Sequence, residues 1–377
     1  MQQLIRVAMI IQKYHPLVGG AERQLAALAP LLRAQAVEIH ILTRRYAGLL
    51  PYELIEGTPV HRLPIVKPKL LASLTFTLTA LPLLKRLQPD LVHAYGLFSP
   101  ATTAVAAKRL LGAPVVVKLL RGGMLGDMDR LKRKPLGMRR LRAFRRQVDA
   151  FIAISQEIDQ ELSSVDIPAE RRFFIPNGVD VERFRPLPSA KKQAWRAALG
   201  LPTGPLIIYT GRLETEKRID QLIGIWPAVR ACHPEAVLLI LGTGAEESRL
   251  KQMAGAGILF LGHVENVAGY LQASDIFVLP SATEGLSNAL LEALAAGLPV
   301  IATAVGGAPE AVAHLQHGWL IPPDTPAALQ EAVLALLNNA ACRDSLGYRG
   351  RQRAVEHYAL PTTANRLRDL YERLIQS

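Results

Sequence analysis

Residues 276–292 read Ile276-Phe-Val-Leu-Pro-Ser-Ala-Thr-Glu-Gly-Leu-Ser-Asn-Ala-Leu-Leu-Glu292. A short apolar run stops at Pro280, a polar turn containing Gly285 follows, and a helical pattern opens at Ser287 or Asn288, both good helix caps. This is one strand–turn–helix unit, and the same alternation recurs outward in both directions. Downstream, Pro299–Thr303 reads as a strand. Upstream, so do Pro205–Thr210, Ala236–Leu241 and Ile258–Leu261, each followed by a helical segment. An earlier series runs through Arg6–Gln12, Val37–Thr43, Asp90–Ala94, Pro114–Leu119 and Ala150–Ser155, with helical patterns such as Ala21–Arg33 and Pro100–Leu111 between them. Strands alternating with helices make a mostly parallel sheet covered on both faces. The expected class is therefore α/β, with two Rossmann-like, doubly wound domains. A chain of 377 residues suits two domains of about 150–200 residues. The segment Pro176–Pro188, with prolines at 176, 186 and 188, is the expected link, giving domains 1–185 and 186–360. Two such domains facing across a cleft bring their strand C-terminal loops toward each other, which is where ligands bind in this class.

Composition narrows the setting. Half of the residues are apolar and a fifth are charged, which excludes a disordered chain. Two cysteines, Cys232 and Cys342, supply no disulfide framework and suit a reducing compartment, so a cytoplasmic location is expected. The first residues read as a buried strand rather than a signal peptide. The longest apolar stretch, Leu70–Leu84, falls short of the ~20 residues that span a bilayer.

The net charge of +12 is uneven: residues 1–185 carry 28 Lys/Arg against 15 Asp/Glu, and the remainder carry 16 against 17. Its densest part, Arg130–Arg146, holds nine basic residues and suits phosphate, whether of nucleic acid or of an anionic membrane. Leu141, Phe144 and Val148 recur there at helical spacing. That pattern fits a solvated helix docked by its apolar stripe, or a helix lying on the inner face of the cytoplasmic membrane. Nucleic acid is the weaker expectation, because the basic half shows no aromatic stacking module or groove-reading motif.

The turn in 280–292 also carries chemistry. The backbone amides of Gly285, Leu286 and Ser287 sit at a helix N-terminus and suit a diphosphate. Glu292, one helical turn beyond Asn288, suits the paired hydroxyls of a ribose, and Glu284 points at whatever hangs from the distal phosphate. A second loop, Thr210-Gly-Arg-Leu-Glu-Thr-Glu-Lys-Arg218, brings Arg212 and Lys217 to neutralise a leaving diphosphate. The bland alternatives are two surface carboxylates for Glu284 and Glu292, and a local salt bridge from Lys217 to Glu214 or Glu216. His93 fits a strand-end structural role better than a ligand contact. Asp127-Met-Asp129 offers too few ligands to define a metal site. Gly242-Thr-Gly244 lacks the third glycine of a dinucleotide fingerprint.

The ordered set of these segments resembles glycosyltransferase family 4 over nearly the whole chain. It comprises Gly19-Gly20-Ala-Glu22, Ile175-Pro-Asn-Gly-Val-Asp180, Gly211-Arg-Leu-x-x-Glu-Lys217, Gly262, Ala273–Ser281, the E-x7-E pair Glu284 and Glu292, Glu292–Ile301 and Gly306-Gly307. The resemblance implies a GT-B fold whose last helix, about 361–377, returns to the N-terminal, acceptor-side domain. It implies a retaining hexosyltransferase that uses a nucleoside diphosphate sugar, UDP- or GDP-linked, without metal or other cofactor. The acceptor is then a glycan or lipid-linked molecule of cell-envelope or polysaccharide biosynthesis. By the same resemblance Arg212 and Lys217 hold the donor phosphates, Glu292 the ribose and Glu284 the transferred sugar, with Gly19-Gly20 bringing backbone close to that sugar. Many relatives carry a histidine after the strand written here Val115–Leu119. This chain places Arg121 there, which suits an acidic group on donor or acceptor; His93 is the other candidate for sugar or acceptor contact. A nucleotide-sugar epimerase of the same fold and a basic nucleic-acid-binding protein remain as alternatives.

Overall fold

The computed structural model describes residues 4–17, 19–65, 69–123 and 125–376. Residues 1–3 of the expected first domain, and Ser377 of the expected last helix, lie outside them. The chain forms two compact units, the first made of residues 1–177 and 360–377 and the second of residues 178–359. The division falls within the Pro176–Pro188 segment. Gly178 belongs to the second unit because Val179 bridges Ala359 and donates its N–H to the Tyr358 carbonyl at 2.7 Å.

The first unit holds strands β1 (Ile5–Ile10), β2 (Val37–Arg44), β3 (Tyr52–Ile55), β4 (Thr58–Leu63), β5 (Leu91–Tyr95), β6 (Val115–Lys118), β7 (Ala150–Ala153) and β8 (Arg172–Phe174). Its helices are α1 (Gly20–Ala34), α2 (Lys69–Leu87), α3 (Ser99–Leu111), α4 (Asp127–Lys132), α5 (Gly137–Gln147) and α6 (Gln156–Ser164). The sheet order is β3-β4-β2-β1-β5-β6-β7-β8, parallel except for the β3–β4 hairpin. Met9 and Ile10 on β1 point to opposite faces and are both fully buried, as a sheet covered on both sides requires. On one face α1 packs with the final helix α15 (Leu360–Gln376), whose Leu367, Leu370 and Tyr371 join Leu25, Leu28 and Leu32 in one core. Each such leucine contributes about 2 kcal/mol by leaving water.

The layer of α2, α3 and α5 is a separate packed set. Here the basic helix resolves: Leu141, Phe144 and Val148 are buried, so α5 is docked by its apolar stripe. That stripe is not available to a bilayer. Arg139, Arg142 and Arg146 stay exposed beside Leu136 and Met138. No helix among the described residues is long and apolar enough to cross a membrane.

The second unit holds α7 (Ser189–Ala198), β9 (Leu206–Thr210), α8 (Ile219–Cys232), β10 (Val237–Leu241), α9 (Glu247–Met253), β11 (Ile258–Gly262), α10 (Val267–Ala273) and β12 (Ile276–Leu279). It continues with α11 (Asn288–Ala295), β13 (Val300–Thr303), α12 (Ala308–Ala311), β14 (Trp319–Ile321), α13 (Pro326–Asn338) and α14 (Ala340–Tyr358). Its parallel sheet runs β11-β10-β9-β12-β13-β14. The winding reverses between β9 and β12, so the loops after those two strands flank the topological switch point, where open α/β sheets bind ligands.

Candidate functional site

The loop after β9 is shaped by its neighbours. Gly211 N–H donates to the Leu241 carbonyl at 3.0 Å, and Leu213 N–H to the Thr243 carbonyl at 2.9 Å. Tyr209 Oη donates to the Arg212 carbonyl at 2.9 Å. Burial, then the charge of Glu284, raises the Tyr209 pKa far above its ordinary value, so that hydroxyl stays protonated and donating. The loop then tightens into a short 3₁₀ turn, Thr215–Lys217, and Arg218 takes a left-handed conformation before α8 begins.

The loop after β12 meets it directly. Ala282 N–H donates to the Glu216 carbonyl at 2.8 Å. Lys217 Nζ reaches Glu284 Oε1 at 2.5 Å, with both side chains close to nine-tenths buried. Ser281 Oγ donates to the same oxygen at 2.8 Å, so both contacts load Oε1, and Oε2 meets no side-chain donor among the described residues, which leaves it the freer oxygen. Ser281 is itself anchored, its carbonyl accepting from Thr303 Oγ1 at 2.5 Å. Below the turn, Gly307 N–H donates to the Gly285 carbonyl at 2.5 Å. Gly306 sits at φ +55°, where a Cβ would lie 2.5 Å from the carbonyl oxygens of both Glu284 and Gly285, so only glycine permits this approach. Ser287 caps α11, its Oγ accepting the Leu290 N–H at 3.3 Å. The N-terminus of α11, with the Gly285–Ser287 backbone leading into it, therefore opens beside the Lys217–Glu284 pair.

Arg212, Lys217, Glu284, Gly285, Leu286, Ser287 and Glu292 thus all lie in the second unit, on the two loops at its switch point or in α11. Glu292 is half-buried within α11. Lys217 takes neither of the local partners that proximity suggests; its carboxylate comes from 67 residues away. Arg212 is more than half exposed, 3.7 Å from Glu214 and 3.6 Å from Glu216, and is thus loosely held and free to swing toward an anion.

Gly19, Gly20, His93 and Arg121 lie in the first unit. Gly19 caps α1, and Glu22 reaches back to accept its N–H at 2.8 Å. His93 takes up the structural place expected for it: it is fully buried on β5, its Nδ1 lies 2.7 Å from Tyr371 Oη, and burial, then Lys118, pushes its pKa down to about 3. The neutral ring ties the final helix α15 to β5 through Tyr371.

Arg121 stands half-buried on the loop after β6, and carboxylates shape that loop. Asp127 Oδ2 accepts the Leu120 N–H at 2.8 Å, and Asp129 pairs with Arg133 at 3.0 Å. Glu161 Oε1 accepts the Gly123 N–H at 2.5 Å, and burial raises its pKa to about 7 from 4.5 despite that bond. Because the folded pKa is the higher, this group favours folding below about pH 4.5, and its contribution is lost as pH rises through about 7. Glu161→Gln removes the ionisation but keeps an acceptor for Gly123. The melting temperature of the variant is expected to rise relative to wild type by a few degrees between about pH 5 and pH 8. Parallel pH–melting curves for the two proteins would contradict that assignment.

Sequence reasoning missed Ser281 and Thr303 as supports of Glu284. The only signal was their place at the ends of adjacent buried strands.

Comparison with known proteins agrees with this architecture. The family model described as Glycosyltransferase Family 4 matches residues 18–183, and that described as Glycosyl transferases group 1 matches residues 204–339. The chain is 32% identical to the GDP-mannose-dependent monoacylated alpha-(1-6)-phosphatidylinositol monomannoside mannosyltransferase of Corynebacterium glutamicum, over 74% of this chain and 75% of that protein. Among solved structures, sucrose-phosphate synthase from Thermosynechococcus elongatus superposes with a TM-score of 0.84 at 21% identity, covering 99% of each chain. Anabaena HepE in complex with UDP-glucose superposes with a TM-score of 0.82 at 19% identity, covering 98% of this chain and all of that one. The chain therefore belongs to glycosyltransferase family 4 and is a glycosyltransferase of the GT-B fold.

Proposed function

We propose that this chain is a retaining hexosyltransferase. It moves a sugar from a nucleoside diphosphate donor to a glycan or lipid-linked acceptor in cell-envelope or polysaccharide biosynthesis. The observation that carries the reading is the junction of the β9 and β12 loops, where Lys217, Glu284 and the N-terminus of α11 converge at one switch point. A helix end and two nearby cations match a diphosphate, and the freer oxygen of an anchored carboxylate matches a sugar hydroxyl. Arg212 and Lys217 supply charge that stabilises the leaving diphosphate without a metal. Glu292 holds the ribose, and the Gly285–Ser287 backbone receives phosphate oxygens. Gly19, Gly20 and Arg121 remain sugar or acceptor contacts on the first unit.

In the reaction, the acceptor oxygen bonds to the anomeric carbon on the face that the diphosphate leaves, and its proton passes to the departing phosphate. No side chain is assigned as nucleophile. GDP-mannose is the first donor to test, because the Corynebacterium relative is named for it. UDP-glucose is the second, because HepE was solved with it. The enzyme works in the cytoplasm. The exposed arginines of α5, beside Leu136 and Met138, rest on anionic lipid at the inner membrane face.

The test is the stereochemistry of slow donor hydrolysis. Followed by proton NMR before mutarotation, the sugar released first is expected to keep the anomeric configuration it had in the donor. First release of the opposite anomer would contradict retention. Donor conversion to an epimer, without transfer or release, would mark an epimerase instead.

A further inference from the structure

Arg121 stands in a short segment whose backbone two acidic side chains hold from both ends. Asp127, buried at the start of α4, accepts the Leu120 N–H at 2.8 Å and also the Arg121 N–H. Its own N–H donates to the Arg121 carbonyl at 2.9 Å. Glu161 of α6 accepts the Gly123 N–H at 2.5 Å. Between these ties Gly122 is pressed against α6: a Cβ on it would stand 2.8 Å from Glu157 Oε2 and 3.1 Å from Ile158 Cγ1. Arg121 is the one cationic residue of the segment Leu120–Gly123, and it lies between the two ties.

The surroundings of Glu161 disfavour its charge. Burial comes first, the carboxylates of Glu157 on α6 and Asp127 on α4 repel it, and Lys132 of α4 and the Gly123 N–H offset them in part. Its Oε2 is enclosed and takes no hydrogen bond among the described residues. A glutamine would hold the Gly123 N–H equally well and would carry no cost of ionisation. An ionisable group kept where its charge is unfavourable, on a segment that presents a candidate substrate contact, points to use of that ionisation.

We propose that Glu161 is a positioning residue for Arg121, closing the segment Leu120–Gly123 together with Asp127 and so setting where the guanidinium meets its substrate. The proposal rests on the reading of Arg121 as a sugar or acceptor contact, and on the backbone ties alone for the closed segment. Opening the segment parts Glu161 from Gly123 and returns its carboxyl to water, so opening is linked to loss of its proton. The closed value is the higher, about 7 against 4.5. Closure is therefore favoured most below about pH 4.5, weakens as pH rises, and stops changing above about pH 7.

The experiment is hydrogen exchange on the full chain, read by mass spectrometry in peptides that cover Leu120–Gly123. Wild type is compared with Glu161→Gln and Glu161→Ala, with melting curves to establish that each is folded. The peptides have one sequence in all three proteins, so the ordinary acceleration of exchange with pH cancels in their ratios. The ratio of wild type to Glu161→Gln is expected to rise about tenfold between about pH 5 and pH 7 and then to level off. That rise is smaller than the full shift implies, because Glu161 is half-buried and water screens it. Glu161→Ala, which offers Gly123 no acceptor, is expected to exchange faster than Glu161→Gln at every pH. A constant ratio across this range, or equal exchange in the two variants, would overturn the closed segment.

A second arm separates positioning from a merely structural tie. Steady-state turnover of GDP-mannose and of UDP-glucose is measured in wild type, Glu161→Ala, Arg121→Ala and the double variant. Glu161→Ala is expected to raise KM about threefold to tenfold with a smaller change in turnover number, and Glu161→Gln to restore it. In the Arg121→Ala background the same substitution is expected to change nothing further. Equal effects with and without Arg121 would overturn positioning and leave only a structural tie. The predicted exchange in a chain that turns over neither donor would refute the glycosyl-transfer role of Arg121 and leave the closed segment standing.

Discussion

Lys217→Ala is expected to lower the turnover number by about a hundredfold to a thousandfold, the usual cost of removing one preorganised group that meets developing charge. The amine sits 2.5 Å from Glu284 Oε1, and both side chains are close to nine-tenths buried, so the loss acts twice. It removes the cation that would meet the leaving diphosphate, and it leaves Glu284 with Ser281 as its remaining donor. A buried carboxylate stripped of its cation costs several kcal/mol or shifts toward its neutral form. Steady-state kinetics on the donor separates these effects from simple weakening of binding. A fall in turnover larger than the rise in KM is the expected pattern, with the protein still folded by its melting curve. A rise in KM alone, with turnover intact, would mean that Lys217 binds donor and transition state equally.

The second large effect belongs to Gly242→Ala. Gly242 follows β10 at φ +130°, and a Cβ there would lie 1.8 Å from the Gly211 carbonyl oxygen. A backbone atom cannot swing away as a side-chain tip can. The β9 loop that carries Arg212 and Lys217 must therefore move, or β10 must. Strain at a glycine-only conformation and overpacking each cost about 1–3 kcal/mol, so the second unit is expected to lose several kcal/mol and its response to donor. Gly255→Ala is the control, since nothing lies within 4 Å of a Cβ placed there. Urea unfolding of both variants, read beside nucleotide-sugar stabilisation, checks the claim. Equal stability in the two would refute the proposed dependence of the site on this contact.

What the sequence made legible was the repeating local unit. Strands such as Ile276–Leu279 are short apolar runs, and the turn and cap after them follow from Gly285 and Ser287. All ten strands read from the sequence are present within a residue or two of their expected bounds. The β3–β4 hairpin escaped because its segments look unlike strands. Glu56 takes φ +49° in its turn where asparagine or glycine is usual, and Arg62 is inward-facing and 3% exposed. Arg62 is tolerated because Glu53 pairs with it at 2.9 Å and the His15 carbonyl accepts from it at 2.8 Å. Such partners are set by tertiary packing and leave no mark on local pattern. The same holds for the site. The loops that carry Lys217 and Glu284 were readable, and their mutual contact was not. His93 was ambiguous in sequence for the reason that Tyr371, its partner, lies 278 residues away.

If the second unit binds a nucleoside diphosphate sugar at the β9–β12 switch point, a thermal-shift screen against UDP-, GDP- and ADP-sugars will reveal it. Wild type is predicted to be stabilised by one donor, and Glu292→Ala to lose most of that stabilisation while melting normally without ligand. Stabilisation of equal size in the two proteins, or none by any donor in well-folded wild type, would contradict binding at that point.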